Sequence, residues 1–313
     1  MKAATITDSQ NQFLHAYRKD TIYWNGLGRF GIRRWSGSIG DYLRGVRRRA
    51  SVVRRALHGE LNIEVDRIPF SWDPELPAPP QGFPNGATLQ LTRREADYLR
   101  DRIRLSAGGT MLEALVAPPT GATTTPTRFR CATPWEHPIA TDLLPNAHRL
   151  LEHARYFSAV MHGGQLLYNL MLGEEIENDE ATANYRERLT DWADRIELHR
   201  PDFTNWDKAD FWKLVTALLS NRLRAATRTF VRDWMDVALR NPRRLADLPI
   251  ARTLIKAREK TLKGPRARIG NRGRIEKQWS GASGVDPLVY GWGTVQSIVA
   301  DIRNSFEEAA SDA

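Results

Sequence analysis

The chain has 313 residues, 41% of them hydrophobic and 27% charged, enough apolar material for one large or two ordinary globular domains and too much for wholesale disorder. A single cysteine, Cys131, excludes an intrachain disulfide and any cysteine-rich zinc or iron–sulfur site. No apolar run approaches the roughly 20 residues of a membrane span, and Met1–Asp20 holds no signal-like apolar core, so a soluble, cytoplasmic protein is expected.

In chain order, residues 21–35 (TIYWNGLGRFGIRRW) mix aromatics, glycines and arginines and read as a short strand or turn with a loop. Residues 40–58 predict a helix, with Tyr42, Leu43, Val46, Ala50, Val53 and Leu57 three and four apart and an arginine-rich face between them. Six prolines in residues 69–86 predict an extended surface loop. Thr92 and Glu95 form a T-x-x-E capping box that starts the next helix. Residues 118–127 (PPTGATTTPT) read as a linker. From Pro145 the spacing predicts one long helix, or two meeting at Gly163–Gly164, then helices over 180–199, 207–220, 226–240 and 249–263. Residues 264–284 are glycine-, arginine- and serine-rich and irregular, and 288–309 predict a closing helix. The expected architecture is mainly α, a multi-helix domain with a small irregular N-terminal part. The expected divisions are a basic region over 1–117, a linker over 118–130, and a helical domain over 131–313 that carries a basic loop at 263–284.

Gly26, Gly28 and Gly31 match G-x-G-x-x-G, but no buried strand precedes them and no acid follows at about 20 residues, so turns among bulky aromatics are the better reading. His148 and Glu152 share a helix face, while His153 and His162 stand nine apart and Glu136-His137 sits between prolines. Zinc needs three or four converging ligands, and structural histidines are the commoner case, so no metal and no cofactor is expected. A hidden catalytic site, if present, would involve Glu136, His137, Glu152, His153 or His162. The acids Glu174, Glu175, Glu177, Asp179 and Glu180 sit at a helix end and are expected to face solvent. No phosphate loop, H-E-x-x-H, G-x-S-x-G or H-x-K pair occurs, so the sequence offers no catalytic residues of a common enzyme class.

Charge is the strongest signal. The formal net charge is +9, yet Arg29–Arg55 holds nine arginines against Asp41, and Arg252–Lys277 holds ten basic residues against Glu259 and Glu276. Each window carries +8, which leaves the rest of the chain acidic. Segregated, arginine-dominated charge is the footprint of a polyanion partner. Arg33, Arg34, Arg47, Arg48, Arg49, Arg266, Arg268, Arg272 and Arg274 are the candidate phosphate contacts, on the expectation that the two windows share one surface. Trp24 and Trp35 are candidates for a protein interface, and each window adjoins a similar Trp-Ser-Gly turn, at Trp35 and at Trp279.

Several stretches resemble a bacterial family catalogued only as a domain of unknown function: IYWNGLGRFGIRRW (22–35), LPAPPQGFP (76–84), LTRREADYLRDRI (91–103), PWEHP (134–138), LEHARYFSAVMHGGQLLYNLML (151–172), LKGPRARI (262–269) and WSGASG (279–284). The resemblance implies an accessory protein of antiphage defence islands, beside helicase and phospholipase-D-like partners. It also implies a further helical segment before the YWNGLG-type motif, where only about 20 residues stand here; that shortfall would leave apolar surface for a partner to cover. The expected function is a non-catalytic subunit contacting the nucleic-acid backbone, with DNA as the expected partner and no feature that separates DNA from RNA. The alternatives are a protein-interaction scaffold, or an enzyme of unrecognised type such as a nuclease.

Overall fold

The computed structural model describes residues 23–58, 71–83, 85, 88, 90–117, 130–219 and 222–311. The segment read as a linker, 118–127, lies outside them, as do the side chains of Arg47 and Arg49. The chain is mainly α. Its helices are α1 (residues 23–29), α2 (Ile39–Leu57), α3 (Arg93–Ser106), α4 (Met111–Val116), α5 (Pro145–Glu175), α6 (Asp179–Leu198), α7 (Arg200–Asn205), α8 (Lys208–Leu218), α9 (Ala225–Arg240), α10 (Pro249–Lys263), α11 (Arg272–Gln278) and α12 (Trp292–Ser311). Among the described residues extended pairing is limited to one antiparallel bridge, Arg33 with Trp72. The chain divides into two compact units, one of Met1–Arg130, Asp142–Leu144 and Thr294–Ala313, the other of Cys131–Thr141 and Pro145–Gly293.

In the first unit, residues 23–29 are helical rather than strand and loop. The glycines that suggested turns end this helix instead of preventing it: Phe30 N–H bonds Gly26 O, and Gly31 leaves at φ +68°. The unit's buried residues include Trp24, Ile32, Ala96, Ile103, Leu115, Val299 and Ile302. Trp24, Tyr42 and Trp72 pack edge to face or tilted with ring centres 5.2–6.1 Å apart, and Trp72 Nε1 donates to Tyr42 OH at 2.7 Å. The capping box opens α3 as its sequence predicts, Thr92 Oγ1 accepting from Glu95 N–H while Glu95 Oε2 accepts from Thr92 N–H. Arg303 Nε donates to Leu115 O, joining α12 to the end of α4.

The second unit is built around α5, whose buried residues include Val160, Leu166, Leu167, Leu170 and Leu172. Helices α6, α9 and α10 pack against it. It is one continuous helix through Gly163–Gly164, because these glycines admit tryptophans rather than break the chain. A Cβ on Gly163 would lie 2.6 Å from the Trp192 ring, and one on Gly164 3.2 Å from Trp234. The indole N–H groups of the same two tryptophans donate to Ala159 O and Val160 O. Each ring therefore supplies apolar packing and satisfies its own donor, the arrangement that lets tryptophan be fully buried.

Candidate nucleic-acid interface

An arginine of the N-terminal window and one of α3 meet at a single carboxylate, although Arg29, Arg34, Arg44, Arg48 and Arg55 are all exposed. Asp73, in the proline-rich segment, supplies that carboxylate on a side chain only 1% exposed: Arg34 Nη2 lies 2.7 Å from Oδ1, Arg102 Nη1 3.4 Å from Oδ2, and Tyr98 OH donates to Oδ2 at 3.0 Å. Burial, with Asp73 beside it, pushes the Tyr98 phenol up to about 12. Arg33 places its guanidinium 4.5 Å from the Trp24 ring centre and donates from Nε to Trp24 O. That guanidinium lies against Gly28, where a Cβ would collide with it. Arg44 pairs with Asp41, whose carboxyl is held below its usual range by hydrogen bonds from Ser38 and Arg44. Arg48 is exposed. Trp24 is 7% exposed, its indole donating to Gly37 O, and Trp35 is half-buried with its ring against Tyr42. Both tryptophans thus pack within this unit.

In the second window, carboxylates hold the backbone. Glu259, 5% exposed on α10, accepts from Tyr168 OH, the backbone N–H of Ile269 and Lys263 Nζ. Burial alone would raise its carboxyl, but those donors outweigh it and the group sits below its ordinary value. Glu175 accepts from Gly270 N–H, and Glu174 pairs with Arg186 and Arg252. These two acids were expected to face solvent; they are half-buried and act as clasps. The Trp279 turn is fixed by Asn169, fully buried on α5, which accepts from Trp279 Nε1 and Ser283 N–H and donates to Ser283 O.

On this frame the basic side chains diverge. Arg266 is exposed, and Arg268 donates to Ser283 Oγ. Arg272 is tied to Glu177 and Glu276, and Arg274 is half-buried, its Nε without a partner. Lys256 and Lys260, one turn apart on α10, and Lys277 on α11 are exposed and form no ion pair with any described residue. The i, i+4 spacing of Lys256 and Lys260 already places them on one helix face in the sequence.

The histidines have structural partners. Trp206 Nε1 donates to His153 Nδ1 at 2.9 Å, which fixes the ring hydrogen on Nε2, and Nε2 donates to Asp210 at 2.9 Å. His137 Nδ1 accepts from Ile139 N–H, and His148 and Glu152 face each other at 3.6 Å. His162 Nε2 donates to Val285 O. Among the described residues no three His, Cys, Asp or Glu side chains converge to hold a metal ion, and no helix is long and apolar enough to cross a membrane.

A family model matches residues 10–305, almost the whole chain. The chain belongs to DUF6361, a family of unknown function. No curated protein and no solved structure matches it. The DUF6361 match takes in both basic windows, the Asp73 hub and the Trp279 turn. The second unit of this DUF6361 chain also holds several cavities, two of them larger than a third one of 220 Å³. One, of 280 Å³, is apolar and bordered by Leu150, Phe157, Trp212 and Leu218. The other, of 360 Å³, lies between α5, α6 and the turn at Trp135 and is partly polar.

Proposed function

We propose that the chain is a non-catalytic accessory subunit that contacts the phosphate backbone of nucleic acid, with DNA as the partner. The observation that carries this reading is the exposed cation set of the α10–α11 segment: Lys256, Lys260, Arg266 and Lys277 stand clear of carboxylates on a backbone pinned by Glu259 and Glu175. A fixed frame with free cations binds phosphate without first breaking internal pairs. The resemblance to accessory proteins of antiphage defence islands supports a setting in a multi-subunit assembly, with helicase or phospholipase-D-like proteins as partners.

Duplex binding measured against salt tests the proposal. A plot of log affinity against log salt is expected to be linear, and the triple reversal Lys256→Glu, Lys260→Glu, Arg266→Glu should flatten it by roughly 0.9 for each lost phosphate contact. Affinity indifferent to salt, or a slope untouched by the triple reversal, would sink the reading.

A scaffold role without nucleic acid has one observation in its favour. Leu43 and Val46, one turn apart on α2, are 61% and 40% exposed. Co-purification of a protein partner, lost on Leu43→Asp, together with no duplex binding at moderate salt, is the result that reading requires.

A further inference from the structure

The 360 Å³ cavity of the second unit is built differently from the rest of the interior. Its walls are aromatic, with Trp135, Tyr156, Trp192 and Phe203 on the lining. Within those walls stands a polar group that the protein leaves unanswered. Ser158 is 1% exposed, and its Oγ is buried with no hydrogen-bond partner. Thr133, on the same lining, forms a capping box with Glu136. A buried hydroxyl without a partner is rare in folded proteins, and one on a cavity lining points to an occupant that supplies it.

His162 lies one helical turn beyond Ser158 on α5 and borders the same cavity. Because a carbonyl only accepts, its bond to Val285 O places the hydrogen on Nε2 and leaves Nδ1 as an acceptor. Burial, with Arg195 and Arg188 nearby, pushes the ring below its ordinary value and favours that neutral form. Arg155 and Arg195 also border the cavity, are exposed, and pair with no carboxylate among the described residues. Glu136, the carboxylate on the lining, is turned to the backbone N–H of Thr133.

We propose that this cavity is a binding site for a small organic anion with a flat ring, of the nucleoside monophosphate class. The aromatic walls suit a planar ring, the Ser158 hydroxyl and His162 Nδ1 suit polar atoms on its edge, and Arg155 and Arg195 suit its phosphate. The site shares no residue with the exposed cations of α10 and α11, so it stands or falls separately from the phosphate-backbone reading.

Calorimetry of the full chain with the four ribonucleoside monophosphates, adenosine and inorganic phosphate tests this. At least one monophosphate should bind, with adenosine and inorganic phosphate each weaker by about tenfold or more, since each lacks one half of the recognised chemistry. Arg195→Gln should weaken the monophosphate about tenfold and Ser158→Ala about threefold. Ser158→Ala should leave the melting temperature unchanged or raised, because it removes an orphaned hydroxyl; a purely structural serine would lower it. Failure of all four monophosphates to bind at millimolar concentration, or binding indifferent to both substitutions, overturns the proposal. Ser158→Ala should leave duplex binding intact and the α10 charge reversals should leave monophosphate binding intact, so neither failure can be mistaken for the other.

Discussion

Two basic stretches of equal net charge sit beside acids that are used differently. In the N-terminal unit Arg34 and Arg102 close on Asp73, and Arg33 folds onto Trp24. In the α10–α11 segment Glu259 and Glu175 are occupied by backbone N–H groups, and Lys256, Lys260, Arg266 and Lys277 remain outward. An acid that binds a guanidinium removes a cation from the surface, whereas an acid that binds an amide fixes a loop and leaves its cations available. Both stretches also lose cations to carboxylates, Arg34 and Arg44 in the first and Arg252, Lys263 and Arg272 in the second, so charge counted along the chain overstates what either can offer a polyanion.

The contrast breaks most visibly if Asp73 is removed. Asp73→Ala leaves Arg102, 18% exposed, and the Tyr98 hydroxyl without their shared acceptor. Breaking a buried pair in this way costs about 3–5 kcal/mol, so the N-terminal unit should unfold at markedly lower denaturant. Hydrogen exchange at the Arg34 and Asp73 amides, which bond Ser71 O and Ile32 O, localises the loss. Tyr98 supplies an independent reading. Its folded value of about 12 lies above the ordinary 10.0, so the stability it contributes is complete below pH 10 and lost as pH rises through about 12. In the variant its absorbance titration should move down toward the ordinary value, since the Asp73 hydrogen bond and charge both help to raise it.

Glu259→Ala attacks the other arrangement. It leaves the Tyr168 hydroxyl, the Ile269 amide and the Lys263 ammonium without their shared acceptor and should cost roughly 2–3 kcal/mol, less than the Asp73 change because Lys263, 40% exposed, turns to solvent. Exchange protection should fall at Ile269 while that at Asp73 is unchanged. Because the Glu259 carboxyl is held below its ordinary 4.5, its contribution is complete above that pH and lost as pH falls through the lower folded value. Acid should therefore loosen this loop at a pH where Lys256 and Lys260 remain charged, and duplex binding should lose affinity as the frame slackens.

Much of the helical framework was legible because it rests on local pattern. The three-and-four spacing over 40–58 gives α2, Thr92 and Glu95 give the start of α3, and Pro145 onward gives α5. Continuity through Gly163–Gly164 was not legible, since it depends on Trp192 and Trp234, 29 and 70 residues further on. The Asp73 hub was hidden for the same reason: a lone acid in a proline-rich stretch carries no periodicity, and its partners come from α3 and from the segment before α2. Ser158 had no signal at all, because a serine among helical apolar residues reads as an ordinary small residue until its hydroxyl is found without a partner. Residues 264–284, read as irregular, contain α11, started by the Asn271 side chain accepting from Arg274 N–H.

The finest test of the comparison sets two arginines of the same loop against each other. Arg266 is exposed and unencumbered, while Arg272, also exposed, is already bonded to Glu177 and Glu276, which hold its guanidinium above its ordinary value. Both positions are on the surface, so Arg266→Gln and Arg272→Gln should each change stability by no more than about 0.5 kcal/mol. Their effects on duplex binding should nevertheless differ. Arg266→Gln removes a phosphate contact and should reduce the salt slope by about 1. Arg272→Gln removes a cation that must first leave two carboxylates, and it frees those carboxylates to repel the duplex, so it should lower affinity with little change in slope. Equal slopes for the two variants would mean that internal pairing does not decide which cations of this loop meet phosphate, and the distinction between the two windows would lose its physical basis.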